Sequence, residues 1–111
     1  MENRLLGLSK RRWPLGGNQF LRLLSAYEMT RCAVGATNLT ERLGMKKEEE
    51  ALAGNAVLLS MSIVDRKENP VFPDGEAVLS ALPAEGIISL AERYAECRDE
   101  ALGTLFEVKK N

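Results

Sequence analysis

The spacing of apolar and polar positions in the first half of the chain predicts a helix that begins after Ser25. The segment from Ser25 to Glu28 reads S-A-Y-E, which is the serine-to-glutamate spacing of a capping box. The helix extends at least to Val34, and Gly35 weakens it. We therefore expect a break or a kink within residues 35–45.

A second helix, beginning near Lys46, is predicted to be the buried centre of the fold. Residues 56–64 are apolar on nearly every side of a helix, which is typical of an element that packs against neighbours all round. The alternative is a strand over residues 58–64, but this segment continues an alanine-rich stretch, which favours helix. Pro70 ends the helix, because the residue before a proline is disfavoured in helical backbone.

Two further helices are predicted in the second half of the chain. Asp74 is placed to cap a short helix over residues 75–81, and Pro83 then resets the backbone. The last helix runs from about Ala84 to Leu102 and is expected to stop at Gly103. Its apolar stripe comprises Ile87, Ile88, Ala91, Tyr94, Ala95, Ala101 and Leu102.

A β-hairpin is predicted ahead of the first helix. Residues 12–15 and 19–23 flank the sequence G-G-N at residues 16–18, which is favourable for a turn. Pro14 has no amide hydrogen to donate to a neighbouring strand, so the first strand should lie at the edge of the sheet. A two-stranded hairpin is marginally stable alone and must pack on another element.

Length and composition fit a mainly α fold class, a small single-domain helical protein with a short N-terminal β-hairpin. The chain has 111 residues, a formal net charge of −1, 45% apolar residues and 28% charged residues, which suit one globular domain. Aromatic residues make up only 5%, which fits a helical core better than a β-sandwich. We expect a loose N-terminal arm at residues 1–10, a folded core at residues 12–105 and a flexible tail at residues 106–111.

The two ends of the chain have opposite charge. Residues 1–31 carry six basic and two acidic side chains, whereas residues 85–107 carry six acidic and two basic ones. This polarity can dock the two ends within one molecule or join neighbouring copies head to tail. Together with the short core and the edge strand, it leads us to expect self-association.

Composition excludes most enzyme chemistry. The chain has no histidine, which removes Ser-His-Asp triads, Cys-His pairs and histidine metal sites. Cys32 and Cys97 cannot complete a tetrahedral zinc site by themselves, so we interpret them as partly buried thiols, with a disulfide between them as the alternative. We therefore predict no catalytic residue, no metal site and no cofactor, and we expect that the protein is not an enzyme.

Two clusters of charged residues have a functional and a plainer interpretation. Lys10-Arg11-Arg12 beside Trp13 suits a phosphate contact with a stacking side chain, but dedicated nucleic-acid binders are usually basic overall, which favours a solvated arm followed by a core tryptophan. A carboxylate group on the last helix faces away from the apolar stripe, as a solvated face does. This group comprises Glu92, Glu96, Asp99 and Glu100.

No segment of the sequence is predicted to direct the protein to a membrane. The first residues lack the apolar core and the cleavage site of a secretion signal. The longest nearly apolar run, residues 56–64, is far shorter than the ~20 residues of a membrane span. We expect a soluble, cytoplasmic protein.

Three short motifs occur in a distinctive order. The hairpin leads into F-L-R-L-L-S-A-Y-E at residues 20–28, the central helix ends in L-L-S-M-S-I-V-D at residues 58–65, and P-V-F follows at residues 70–72. This order resembles the tail assembly chaperones of long-tailed bacteriophages and prophages, which often read strand, L-R-x-L-S-x-x-E, helix, then A-x-S-x-x-D-x-x-G-x-P-x-F and a helix near the end. The resemblance covers roughly residues 12–105 and departs at residues 67–69, where the family often has a glycine turn.

The resemblance implies a function in virion morphogenesis without catalysis. Such chaperones bind the tape-measure protein, keep it soluble, help to recruit the tail-tube protein and leave before the virion is complete. The protein would then act in the cytoplasm of the bacterial host and be missing from the mature virion. The resemblance also implies a longer product made by ribosomal frameshifting, for which adenine-rich codons at Lys109-Lys110 and an open −1 frame are expected.

Two other classes of function are kept as alternatives. One is a structural phage or prophage component, such as a head–tail connector, and the other is a small DNA-binding regulator that uses the basic arm. For the partner-binding surface we select the hairpin and the first helix, because they hold the largest apolar side chains of that region. These are Trp13, Phe20, Leu21 and Tyr27, and the alternative is that they form the core.

Overall fold

The computed structural model of the protein describes residues 9–110, with side chains described as far as Gly103. The expected arm at residues 1–10 therefore lies outside the described residues except for its last two, as does the last residue of the expected tail. Residues 13–110 form a three-stranded antiparallel sheet and four α-helices, which confirms the mainly α fold class. In chain order the elements are β1 (Trp13–Gly16), β2 (Gln19–Leu21), α1 (Ala26–Leu43), a short 3₁₀ helix (Lys47–Glu49), α2 (Glu50–Ser62), β3 (Ile63–Asp65), α3 (Gly75–Ala81) and α4 (Ala84–Lys110).

The predicted hairpin is present, and a third strand completes its sheet. β1 pairs with β2, and β2 pairs with β3 on its other side, so β1 lies at the edge, as Pro14 predicts. Phe20 lies opposite Val64, and Leu21 lies opposite Ile63. The predicted continuation of the second helix to Val64 is wrong, because the β-branched Ile63 and Val64 pair with β2 instead.

α1 is one uninterrupted helix of 18 residues, so the predicted break within residues 35–45 is wrong. Gly35 lies inside this helix and faces α2, where a Cβ atom would be 3.1 Å from Cγ1 of Val57. The glycine therefore permits a close approach of two helices and does not interrupt the first of them. The helix ends at Gly44, whose left-handed backbone (φ 63°) closes the last turn.

α2 is the central element of the fold, as its all-round apolar sequence predicts. It packs against α1, α3 and α4, and Leu59 at its middle is fully buried. Two core clusters meet along this helix. The larger includes Trp13, Leu21, Leu59, Ile63, Val78, Ile87 and Tyr94, and the smaller joins α1 to α2 through Cys32, Leu39, Ala53 and Val57.

The two last helices begin where the sequence predicts. The Asp74 carboxylate accepts a hydrogen bond from the amide of Ala77 at 2.9 Å and so caps α3. α4 begins at Ala84 but continues to Lys110, so the predicted stop at Gly103 is wrong. A glycine inside a helix costs only about 1 kcal/mol relative to alanine, and no proline follows Gly103 to end the helix.

Candidate protein-binding surface

The four residues selected as a partner-binding surface lie in different environments. Trp13 and Leu21 are only 6% and 0% exposed and belong to the core. Phe20 is half-buried, whereas Tyr27 is 72% exposed. Trp13 and Leu21 thus follow the core alternative, and a partner can reach only Phe20 and Tyr27 without unfolding the sheet.

Trp13 fastens the hairpin to α4 through polar contacts at the edge of the core. Its indole Nε1–H donates a hydrogen bond to Oε2 of Glu100 at 2.6 Å. The guanidinium of Arg11 lies 4.8 Å from the centre of the indole ring and 3.4 Å from the same carboxylate oxygen. The basic end of the chain therefore contacts the acidic end within one molecule, and Glu100 is not simply part of a solvated face.

The neighbouring Arg12 is also paired. Its guanidinium forms an ion pair with Glu68, with Nε donating a hydrogen bond to Oε1 at 2.8 Å. These hydrogen bonds from Arg12 lower the pKa of Glu68. Two of the three cations in the basic cluster are therefore held by carboxylates, and Lys10 is exposed.

A compact polar unit holds the junction between β2 and α1. Arg22 donates two hydrogen bonds to the Glu28 carboxylate, from Nη1 at 2.9 Å and from Nη2 at 2.7 Å. Ser25 and Glu28 each accept a hydrogen bond from the other's amide, which confirms the predicted capping box. The hydrogen bonds from Arg22 are the main reason that the pKa of Glu28 falls from 4.5 to about 2. These contacts fix the direction in which α1 leaves the sheet.

α1 exposes large apolar side chains on the face turned away from α2. Tyr27 and Val34 are seven residues apart and so lie on one face of the helix, two turns from each other. Val34 is 48% exposed, and Tyr27 is more exposed still. This face is open to a partner along at least two turns.

A groove of about 350 Å³ runs beside this face, between α1, α2 and the Pro73–Gly75 segment. Its floor includes the apolar side chains of Leu39, Val57 and Met61. The segment approaches α2 closely because Gly75 has no side chain, and a Cβ atom there would lie 2.8 Å from Cγ2 of Val57. The volume is large enough to receive a bulky apolar side chain of a partner.

One edge of the groove is lined by polar side chains of α1, namely Arg31, Asn38 and Arg42. Arg42 is paired with Glu76 of α3, with Nη1 at 2.5 Å from Oε1. Arg31 is exposed, and its side chain forms no ion pair or hydrogen bond with any residue that the structure describes. Its guanidinium is therefore available to a partner, and no short sequence pattern indicates this.

The thiols and carboxylates of the described residues form no arrangement suited to a metal ion. Among residues 9–103, whose side chains the structure describes, no three cysteine, aspartate or glutamate side chains come together as metal ligands. Cys32 and Cys97 are free and buried, and burial raises the pKa of both thiols, which keeps them protonated at neutral pH. Glu92, Glu96 and Asp99 are exposed on α4.

None of the helices in the described part of the chain has the length and apolar composition of a membrane span. Comparisons of the chain with protein-family models, with curated proteins and with solved structures found no match. The candidate surface is therefore interpreted from its own geometry, which combines the exposed apolar face of α1 with the adjoining groove.

Proposed function

We propose that this protein is a non-catalytic tail assembly chaperone of a long-tailed bacteriophage or prophage. In this role it binds the tape-measure protein and helps to recruit tail-tube subunits. Two features support the proposal: the polar unit at the start of α1, which corresponds to a family motif, and the surface that α1 presents to a partner.

The polar unit at the β2–α1 junction is the observation that supports the resemblance most strongly. The family pattern L-R-x-L-S-x-x-E places its arginine, serine and glutamate at Arg22, Ser25 and Glu28 of this chain. These three residues form one hydrogen-bonded unit. In this chain the residues of the pattern therefore form the connection between the sheet and the first helix.

The exposed face of α1 supports a role in binding another protein. The resemblance implies a long helical client, and an amphipathic helix binds by placing its apolar side chains in a groove of its partner. Tyr27 and Val34, beside a groove with an apolar floor, offer such a site. Weak contacts of this kind gain strength when many copies bind along one client.

The DNA-binding alternative receives less support from the structure. It needs cations that are free to contact phosphates, but Arg11 is paired with Glu100 and Arg12 with Glu68. Affinity for DNA that falls steeply with added salt would restore this alternative.

Gene order and virion composition test the proposal. The gene should lie between a tail-tube gene and a very long gene for a helical protein, with the adenine-rich codons and open −1 frame that frameshifting requires. Mass spectrometry should detect the protein in cells that are assembling particles but not in purified virions. Its presence in virions at the level of a structural subunit would favour the head–tail connector instead.

A further inference from the structure

The exposed face of α1 carries a cation between two apolar side chains. Tyr27, Arg31 and Val34 follow one another at spacings of four and three residues, so they share one face over two turns of the helix. All three side chains are exposed, and that of Arg31 forms no ion pair or hydrogen bond with any described residue. A partner that covers this face therefore meets one unpaired cation beside apolar surface.

The carboxylate of Asp74 lies across the groove from Arg31 but forms no ion pair with it. Asp74 accepts a hydrogen bond from the amide of Ala77 and lines the groove, which Tyr27 and Val34 do not. A partner that contacts Tyr27 and Val34 therefore approaches Arg31 from the side away from Asp74.

α4 presents the same arrangement with the opposite charge. Ile88, Glu92 and Ala95 also follow one another at spacings of four and three residues and share one face of their helix. Ile88 is 48% exposed, Glu92 is exposed and Ala95 is half-buried. The Glu92 carboxylate has no ion pair or hydrogen bond among the described residues. This face therefore offers one unpaired carboxylate beside apolar surface.

The other charges of α4 keep this face acidic. Each cation of α4 whose side chain the structure describes is paired with a carboxylate of the same helix, and these pairs are Arg93 with Glu96 and Arg98 with Asp99. Glu85 precedes Glu92 by two turns on the same face and has no ion pair among the described residues. The unpaired charges along this part of α4 therefore have one sign.

We propose that α1 of one copy packs against α4 of a second copy, with Arg31 paired to Glu92 and the flanking apolar side chains in contact. The charged residue occupies the middle of the same spacing on both helices, so the apolar side chains meet when the charges meet. Pairing α1 with α1, or α4 with α4, would instead bring like charges together. Each pair leaves one α1 face and one α4 face free, so association can continue past a dimer.

This contact does not rest on the proposed function, because both faces belong to this chain. It gives the α1 face a second occupant, since the neighbouring copy covers Tyr27 and Val34 until a client takes its place. α4 contributes only to the contact between copies. A variant of α4 that no longer self-associates should therefore still bind the client.

Two charge-reversing variants test the contact, first separately and then mixed. Arg31→Glu would bring two acidic side chains together, and Glu92→Arg would bring two basic ones together. Each variant alone should therefore associate about three- to tenfold more weakly than the wild type at low salt, because a modest attraction becomes a repulsion. An equimolar mixture should recover the association of the wild type, since contacts between the two variants join opposite charges. Sedimentation velocity of the full-length proteins measures the association.

Arg66→Glu and Glu48→Arg are the matched controls. They make the same changes in charge at exposed positions outside both faces, and neither side chain has an ion pair or hydrogen bond among the described residues. Both controls, separately and mixed, should associate like the wild type. Circular dichroism verifies that all four variants are folded.

Three results would overturn the proposal. These are a wild type that stays monomeric at high concentration and low salt, test variants that associate as strongly as the controls, and a mixture of the two test variants that associates no more strongly than either alone. None of these results bears on the proposed function, which the solubility of the tape-measure protein tests separately.

Discussion

Among single residues, Trp13 connects the hairpin to the rest of the molecule. Its ring is buried in the larger core cluster, its Nε1–H donates to Glu100, and one face of the ring lies against Arg11. Buried indoles usually combine apolar packing with one satisfied donor in this way. The residue therefore contributes to stability through both its ring and its polar atom.

Replacing Trp13 by alanine should lower the free energy of unfolding by about 3–5 kcal/mol, because a large buried aromatic side chain is removed. Trp13→Phe is the matched control. It keeps most of the apolar contact but loses the hydrogen bond to Glu100, at a cost of about 1–3 kcal/mol. Urea unfolding followed by circular dichroism measures both losses. A loss below about 1 kcal/mol for Trp13→Ala would place the residue outside the core.

Glu28 should make the protein sensitive to acid. Its pKa is about 2 in the folded protein against an ordinary value of 4.5, so folding favours its ionised form. The resulting stabilisation is fully present above about pH 4.5 and is lost as the pH falls toward about 2. The free energy of unfolding of Glu28→Gln, which cannot ionise, should therefore change less across this window. Parallel pH dependences of the two proteins would contradict the assignment.

Among the secondary-structure elements, the sequence predicts correctly those features whose cause is local. Ser25 and Asp74 accept hydrogen bonds from amides three positions ahead, so the starts of α1 and α3 follow from short patterns. The continuity of α1 through Gly35 depends on Val57 of α2, and the strand at Ile63 depends on β2. Val57 lies outside the short segment that predicts a break in α1, and β2 lies outside the segment that predicts a helix at Ile63.

The candidate surface also combines a feature that the sequence predicts with features that depend on residues far apart in the sequence. The sequence identifies Tyr27 as a large apolar residue on a helix, and the structure shows that its side chain is exposed. The groove exists only because α2 brings α1 and the Pro73–Gly75 segment together. The contact between Trp13 and Glu100 joins residues 87 positions apart, so no local pattern indicates it.

Leu59 tests the central position of α2. It is fully buried, whereas its neighbour Leu58 is half-buried and serves as the matched control. Leu59→Ala should reduce the free energy of unfolding by about 2–5 kcal/mol, and Leu58→Ala should reduce it less, since less apolar surface is lost from the core. Denaturant unfolding gives both values. A change below about 0.5 kcal/mol for Leu59→Ala would be incompatible with a buried central helix.

At the scale of the whole molecule, the ion pair between Arg11 and Glu100 joins the basic end of the chain to the acidic end and so neutralises part of the opposite charges within one molecule. On α4, Glu96 and Asp99 are paired with Arg93 and Arg98 of the same helix, whereas Glu92 is exposed without an ion pair among the described residues, and β1 lies at the edge of the sheet. We therefore expect association that increases with protein concentration. Light scattering at high concentration and low salt should detect species larger than a monomer, and a strict monomer under these conditions would refute the expectation.

The decisive measurement is the soluble fraction of the tape-measure protein when it is produced together with this protein. The test variant combines Tyr27→Asp with Val34→Asp on the exposed face of α1. The control combines Ile88→Asp with Leu102→Asp, which are exposed apolar positions on α4. The wild type and the α4 variant should keep the client soluble. The α1 variant should leave the client insoluble although circular dichroism shows that this variant is folded. A client that stays equally soluble with the α1 variant would contradict the proposal that this face binds it.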